Sequence, residues 1–213
     1  MFIGHFAFGF LLSYIFPSVP LWIILIGVSF PDILWPIFVI LGIETVRVDR
    51  NSPLQKNLEF TNYPYSHSLV LTTAIATAVG ILLSVLLKNE LIILVFPLSS
   101  ASHWLLDAIV HRKDLPLLGF SSKDIKVGLG LWNHGKSAFV IEYAFYAVLT
   151  LIFIPLSYAI NLLILGSVFH LLNANSFLGF TKNNPFGTNK YAYPLVTLAG
   201  FGLFILIVSL WVI

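Results

Sequence analysis

Apolar runs at about 2–16, 21–42, 67–87, 91–111, 137–156, 158–173 and 191–213 dominate the chain, cut apart by proline, glycine and polar clusters. Most approach the ~20 residues that carry a helix across the ~30 Å hydrocarbon core of a bilayer. Only 9% of the residues are charged, against roughly 25% in an average soluble domain, so water could not solvate these runs as surface. The expectation is an all-α polytopic membrane bundle of about seven helices and no sheet, one domain over residues 1–213. The second run holds Ser29-Phe30-Pro31-Asp32. Pro31 lacks a backbone donor, and an interrupted second helix lining a polar cavity is expected there.

The remaining charge narrows the choice of function. A formal net charge of +2 comes with no basic cluster dense enough to track a phosphate backbone, which argues against nucleic acid. With no cysteine, thiolate zinc sites, iron–sulfur clusters and disulfides are excluded, and any metal must be held by nitrogen and oxygen. The start of the chain has no basic segment ahead of its apolar run, so the first helix is expected to be retained rather than cleaved. Seven crossings would put Arg47, Arg50, Lys56, Arg112, Lys113, Lys123, Lys126, Lys136, Lys182 and Lys190 on one side and Lys88 on the other. By the positive-inside rule the N-terminus and that loaded side face the cytoplasm.

Ionisable residues stand where they are costly: His5, Asp32, His67, His103, Asp107, His111 and Glu142 all fall in or at the ends of apolar runs. Neutral imidazoles and carboxylates are a divalent-metal ligand set. Ser99, His103, Asp107 and His111 recur every four residues, and such steps drift only about 40° around a helix, giving one polar stripe. Asp114, Ser66 or Ser68 could fix the histidine tautomers from behind. Competing readings exist for several of these residues. His103 and Asp107 could be a buried hydrogen-bonded pair without metal, Asp32 could cap a half-helix, and Glu142 could answer Lys136. Asn133 and His134 read as loop residues, and His170 as a helix–helix hydrogen bond.

The pieces Gly4-His5-Phe6, Phe30-Pro31-Asp32, Tyr63-Pro64-Tyr65-Ser66-His67-Ser68, Ser102-His103-Trp104-Leu105-Leu106-Asp107 with His111, and Val127-Gly128-Leu129-Gly130-Leu131-Trp132-Asn133 resemble the membrane-bound metal-dependent hydrolase-like family. The resemblance covers about residues 1–145. The order of these ligands is in turn similar to the zinc-dependent phospholipase C and P1 nuclease superfamily, all-α enzymes that cleave phosphoesters at clustered zinc. That resemblance implies His5, Asp32, His67, His103, Asp107 and His111 as ligands, with Asp107 between ions. The superfamily's His-x-x-x-Glu element is not matched, because Glu142 lies eight residues after His134, and its N-terminal amine ligand has no evident counterpart at Met1.

The resulting expectation is a multipass hydrolase of phosphoesters using one or two divalent ions, zinc first. Asp32 or Asp107 would accept a proton from the attacking water, and a lipid-borne or membrane-proximal substrate is expected. Arg112 and Lys113 read as interface anchors that could also draw an anionic headgroup. The alternative is a metal-binding or ion-transporting membrane protein without catalysis.

Overall fold

A computed structural model describes residues 1–121, 123–187 and 189–211. The chain is mostly helical. Its α-helices are α1 (Ile3–Ile15), α2 (Leu21–Ile40), α3 (Pro64–His67), α4 (Leu69–Leu87), α5 (Ile92–Val110), α6 (Gly135–Phe153), α7 (Leu156–Leu172), α8 (Ala174–Leu178) and α9 (Ala192–Trp211). Five helical segments are long and apolar enough to cross a membrane: α2, α4, α5, α6 with the 3-10 turn before it, and α9. The helices α1 and α7 are apolar but shorter, at 13 and 17 residues. The expected seven therefore divide into five candidate spans and two short helices.

Their boundaries have local causes. Proline precedes α2 and α7 at positions 20 and 155 and opens α3 at Pro64, where its missing N–H costs nothing. Lys88 ends α4 in the left-handed conformation, the only non-glycine with positive φ among the described residues.

The expected interruption of α2 is corrected. The helix runs unbroken through Pro31 and Pro36. Proline removes one donor from the ladder, but inside a bundle neighbouring groups can use the freed carbonyls. Pro31 frees the carbonyl of Gly27, and beside it Val28 O accepts a hydrogen bond from His103 Nδ1 at 2.7 Å. Asp32 still faces the interior, so the polar lining expected from a break arises on an intact helix.

The expectation of no sheet is also corrected. Strand β1 (Thr45–Arg47) pairs antiparallel with β2 (Glu59–Asn62), and β3 (Leu115–Pro116) with β4 (Lys126–Val127). These loops fold over the helix ends, where their backbone needs partners that water no longer supplies. Leu115 is fully buried with Trp35, Tyr63 and Trp104, and Trp104 Nε1 donates to Pro116 O at 2.8 Å, which holds the β3–β4 hairpin on α5. The main core is built from Ile3, Phe6, Phe10, Ile23, Ile24, Leu25, Val95, Phe96 and Phe204, with α1 enclosed by its neighbours.

Candidate metal centre

Four helices bring their ionisable residues to one point at the loop-bearing end of the bundle. His5 comes from the first turn of α1, and Asp32 from the middle of α2. His67 ends α3, while His103 and Asp107 lie one turn apart on α5. His111 is not on the helix as expected: α5 ends at Val110, and His111 leaves it in extended conformation with its ring still turned toward Asp107. Gly130 N donates to His111 O at 2.7 Å and Leu129 N to Ala108 O at 2.8 Å, so the chain after β4 pins this exit.

Asp107 is the hub. Its Oδ2 lies 3.1 Å from His103 Nε2, 3.5 Å from His111 Nε2 and 3.8 Å from His67 Nε2. Its Oδ1 lies 3.2 Å from His5 Nε2 and accepts the Met1 nitrogen at 2.7 Å. Asp32 reaches two of the same rings, with Oδ1 3.3 Å from His67 Nε2 and Oδ2 3.6 Å from His103 Nε2. Two sets of donor atoms lie within 4.8 Å of one another: His5, His103 and Asp107, and Asp32, His67 and His103. Ligands held about 2.0–2.1 Å from a tetrahedral ion stand about 3.4 Å apart, which is the spacing found here.

Each of three imidazoles is fixed from behind. His103 Nδ1 meets a carbonyl, which can only accept, so Nδ1 carries the proton and Nε2 presents a lone pair. His111 Nδ1 meets Asp114 Oδ1 at 3.1 Å with the same consequence. For His67, Ser66 Oγ lies 2.8 Å from Nδ1 and 2.6 Å from Glu44 Oε2. Glu44 also takes the amides of Tyr65 and Ser66 on Oε1, so it acts as an acceptor, Ser66 donates to it, and Ser66 accepts from His67 Nδ1. Burial pushes the Glu44 carboxyl above its ordinary value, against these hydrogen bonds that pull it down. Three Nε2 lone pairs thus face carboxylate oxygens, which are also acceptors. Such an arrangement repels itself unless a cation stands between them. Neither His103 Nε2 nor either ring nitrogen of His5 has a hydrogen-bond partner, and all are buried. The residues therefore fit a bound divalent ion. His103 Nε2 has a single lone pair and can serve only one ion, whereas Asp107 and Asp32 each engage rings through both oxygens.

Glu142 stands outside both donor sets. Its Oε1 accepts the backbone amides of Phe2 and Gly4, so it caps the start of α1, while Oε2 is buried without a partner. Lys136, its suggested partner, makes no ion pair with it. Ser68 binds Thr72 rather than a histidine. Arg112 donates to Leu58 O at 3.0 Å, and His170 Nε2 lies 2.9 Å from Phe139 O as a helix–helix contact. The hydrogen bond from the Met1 nitrogen to Asp107 was not expected from the sequence. Glu44 and Val28 O were also not foreseen. The only signal for Glu44 was an acid directly after a long apolar helix.

The cluster opens onto a cavity of about 510 Å³, reached by Asp32, His67, Asp107 and His111 and continuing between α7 and α9. Among the described residues no lysine or arginine lines it. In comparisons with known proteins, no family model, no curated protein and no solved structure matches this chain.

Proposed function

We propose that the protein is a membrane-embedded, metal-dependent hydrolase of phosphoesters. The observation that carries this reading is the set of three histidines locked as Nδ1–H tautomers, with Nε2 lone pairs aimed at Asp107 and Asp32 beside an open cavity. A divalent ion bound there, zinc suiting the nitrogen and oxygen donors best, would lower the pKa of a bound water and neutralise phosphoryl oxygens. His5, His67, His103, His111 and Asp107 hold the centre. Asp32 is the more accessible carboxylate, with its side chain 18% exposed against 3% for Asp107, and it is placed to receive the proton of the attacking water. Because the cavity has no lysine or arginine, the metal end must balance the charge of a phosphate.

In this reading α1 and α7 cross with the five longer helices, and the site faces the cytoplasm with the ten cationic loop residues. A conduction path would need polar groups through both halves of the bundle. Among the described residues toward the far end of the helices, the buried polar groups are Ser84, Thr150 and the Ser209 hydroxyl, with Thr150 spent on Tyr146 O, and the lack of a buried ionisable group there supports a one-sided site.

The test is elemental analysis of purified protein together with turnover of an aryl phosphodiester. Bound zinc, turnover abolished by a chelator, and an Asp32→Asn variant that keeps its metal but loses at least about a hundredfold in kcat are expected. Metal-free protein insensitive to chelators would overturn the reading.

A further inference from the structure

The cavity beside the cluster changes character along its length. Near Asp107 it is walled by titratable groups, and toward α7 and α9 mainly by Phe169, Leu172, Phe177, Val196, Phe201 and Leu203, with Asn173, Asn175, Ser176 and Thr197 among them. Three of these wall residues are also open to the outside: Leu172 is 77% exposed, Val196 48% and Leu203 51%. A residue that both lines a cavity and faces outward marks an opening. The opening lies between α7 and α9, and Leu203 is more than halfway along α9, a helix long and apolar enough to cross a membrane.

Seven residues of α9 line the cavity, and four of them share one face, with Tyr193, Thr197 and Phe201 beside it. Val196, Ala199, Gly200 and Leu203 fall at i, i+3, i+4 and i+7. The middle pair is small, and a Cβ on Gly200 would meet nothing closer than Phe2 at 3.5 Å. A slot of this kind, apolar, open sideways at bilayer depth and leading to charged groups at one end, matches one ligand shape.

We propose that the substrate is an amphiphilic phosphate ester whose single hydrocarbon chain lies in the slot between α7 and α9 and enters sideways from the bilayer. This rests on the hydrolase reading for the position of its phosphate, at the Asp107 end. The chain itself is placed by the slot alone. An apolar chain moving from lipid into an apolar slot keeps its surroundings, while the phosphate reaches the one region of the cavity with ionisable partners. A soluble ester without a chain would leave the apolar walls unfilled and bind less well.

The two parts can be tested apart. The full-length protein is reconstituted in phosphatidylcholine vesicles with a single-chain alkyl phosphate ester carrying a photoactivated diazirine on its chain. Labelling is expected at Phe169, Leu172, Val196 and Leu203, and competition by unlabelled alkyl phosphate but not by methyl phosphate. Ala199→Trp fills the middle of the slot from an exposed position, so it should cut labelling about tenfold while bound metal stays unchanged. Even labelling of the outward face of α4 at Ile81 and Val85, or labelling indifferent to Ala199→Trp, would overturn the slot. Protein that holds metal but labels evenly loses only this inference. Protein that labels in the slot yet never binds metal keeps the slot and loses the hydrolase reading.

Discussion

At the scale of single residues, the site consists of acceptors facing acceptors, and two substitutions test that. In Asp107→Asn an amide nitrogen in place of Oδ2 would donate to His103 Nε2, while the remaining oxygen still accepts the Met1 nitrogen. The rise in Tm on adding zinc should therefore vanish, while metal-free protein loses the charge that pairs with the Met1 nitrogen and should fall in Tm. If the cluster is a structural ion pair without metal, the unsubstituted protein should show no rise in Tm on adding zinc for the variant to lose. Ser66→Ala removes the link between Glu44 and His67 Nδ1 and leaves every ligand in place. Its zinc affinity, measured by competition with a chelator, should fall by about 10–100-fold. The ligating side chains were legible in the sequence because histidine and aspartate are out of place in apolar runs. Their supports were harder to see. Val28 O and the Met1 nitrogen are backbone atoms with no signature in the sequence. Glu44 reads as an ordinary loop acid until α3 folds over it.

At the scale of elements, the periodicity of apolar residues marked the long helices to within a few residues, because the pattern and the element share one cause. The error at Pro31 came from a rule learned for isolated helices. One missing donor matters less when packing against neighbouring helices holds the segment, and α2 runs on through Pro31. The strands were missed because four short paired segments of two to four residues carry no alternation long enough to detect. What sets the distance between Asp32 and His103 is the crossing of α2 and α5, and it depends on Gly27. A Cβ there would lie 2.7 Å from Ser99 Cβ and 3.3 Å from Phe96 O. Gly27→Leu should force the helices apart, costing about 1–3 kcal/mol in a denaturation midpoint and weakening zinc binding with it. On α9 nothing lies within 4 Å of Gly202, so Gly202→Leu should leave both measurements unchanged. Equal effects from the two variants would mean that the crossing does not position the centre.

At the scale of the whole molecule, the issue is how many helices cross and which way round. Helix α1 is about 20 Å long and α7 about 26 Å, against a hydrocarbon core of ~30 Å. By length alone both fall short. Their connections nonetheless join the two ends of the bundle. Asn89 Nδ2 donates to Ser18 O at 2.8 Å, which sets the link after α1 beside the link between α4 and α5. Tyr14 and Phe153 place their rings 5.4 Å apart, which adds the end of α6 to the same face. The other end of α1 is at Asp107, at the opposite end of α5. A helix whose two ends reach opposite ends of the bundle runs along its length, with the enclosing helices covering its flanks, and this supports the proposal that α1 crosses. Lys88 then stands alone on the far face against ten cations on the site face, and the proposed orientation, with the site toward the cytoplasm, rests on that asymmetry. Because the chain has no cysteine, single cysteines report this directly. In intact cells a membrane-impermeant maleimide should label Glu90→Cys, an exposed position beside Lys88, and should label Lys123→Cys only after permeabilisation. Labelling of Lys123→Cys from outside would invert the orientation. Equal labelling of both positions from outside would place the α4–α5 link and the β3–β4 hairpin on one face, and neither the seven crossings nor a one-sided site could then stand.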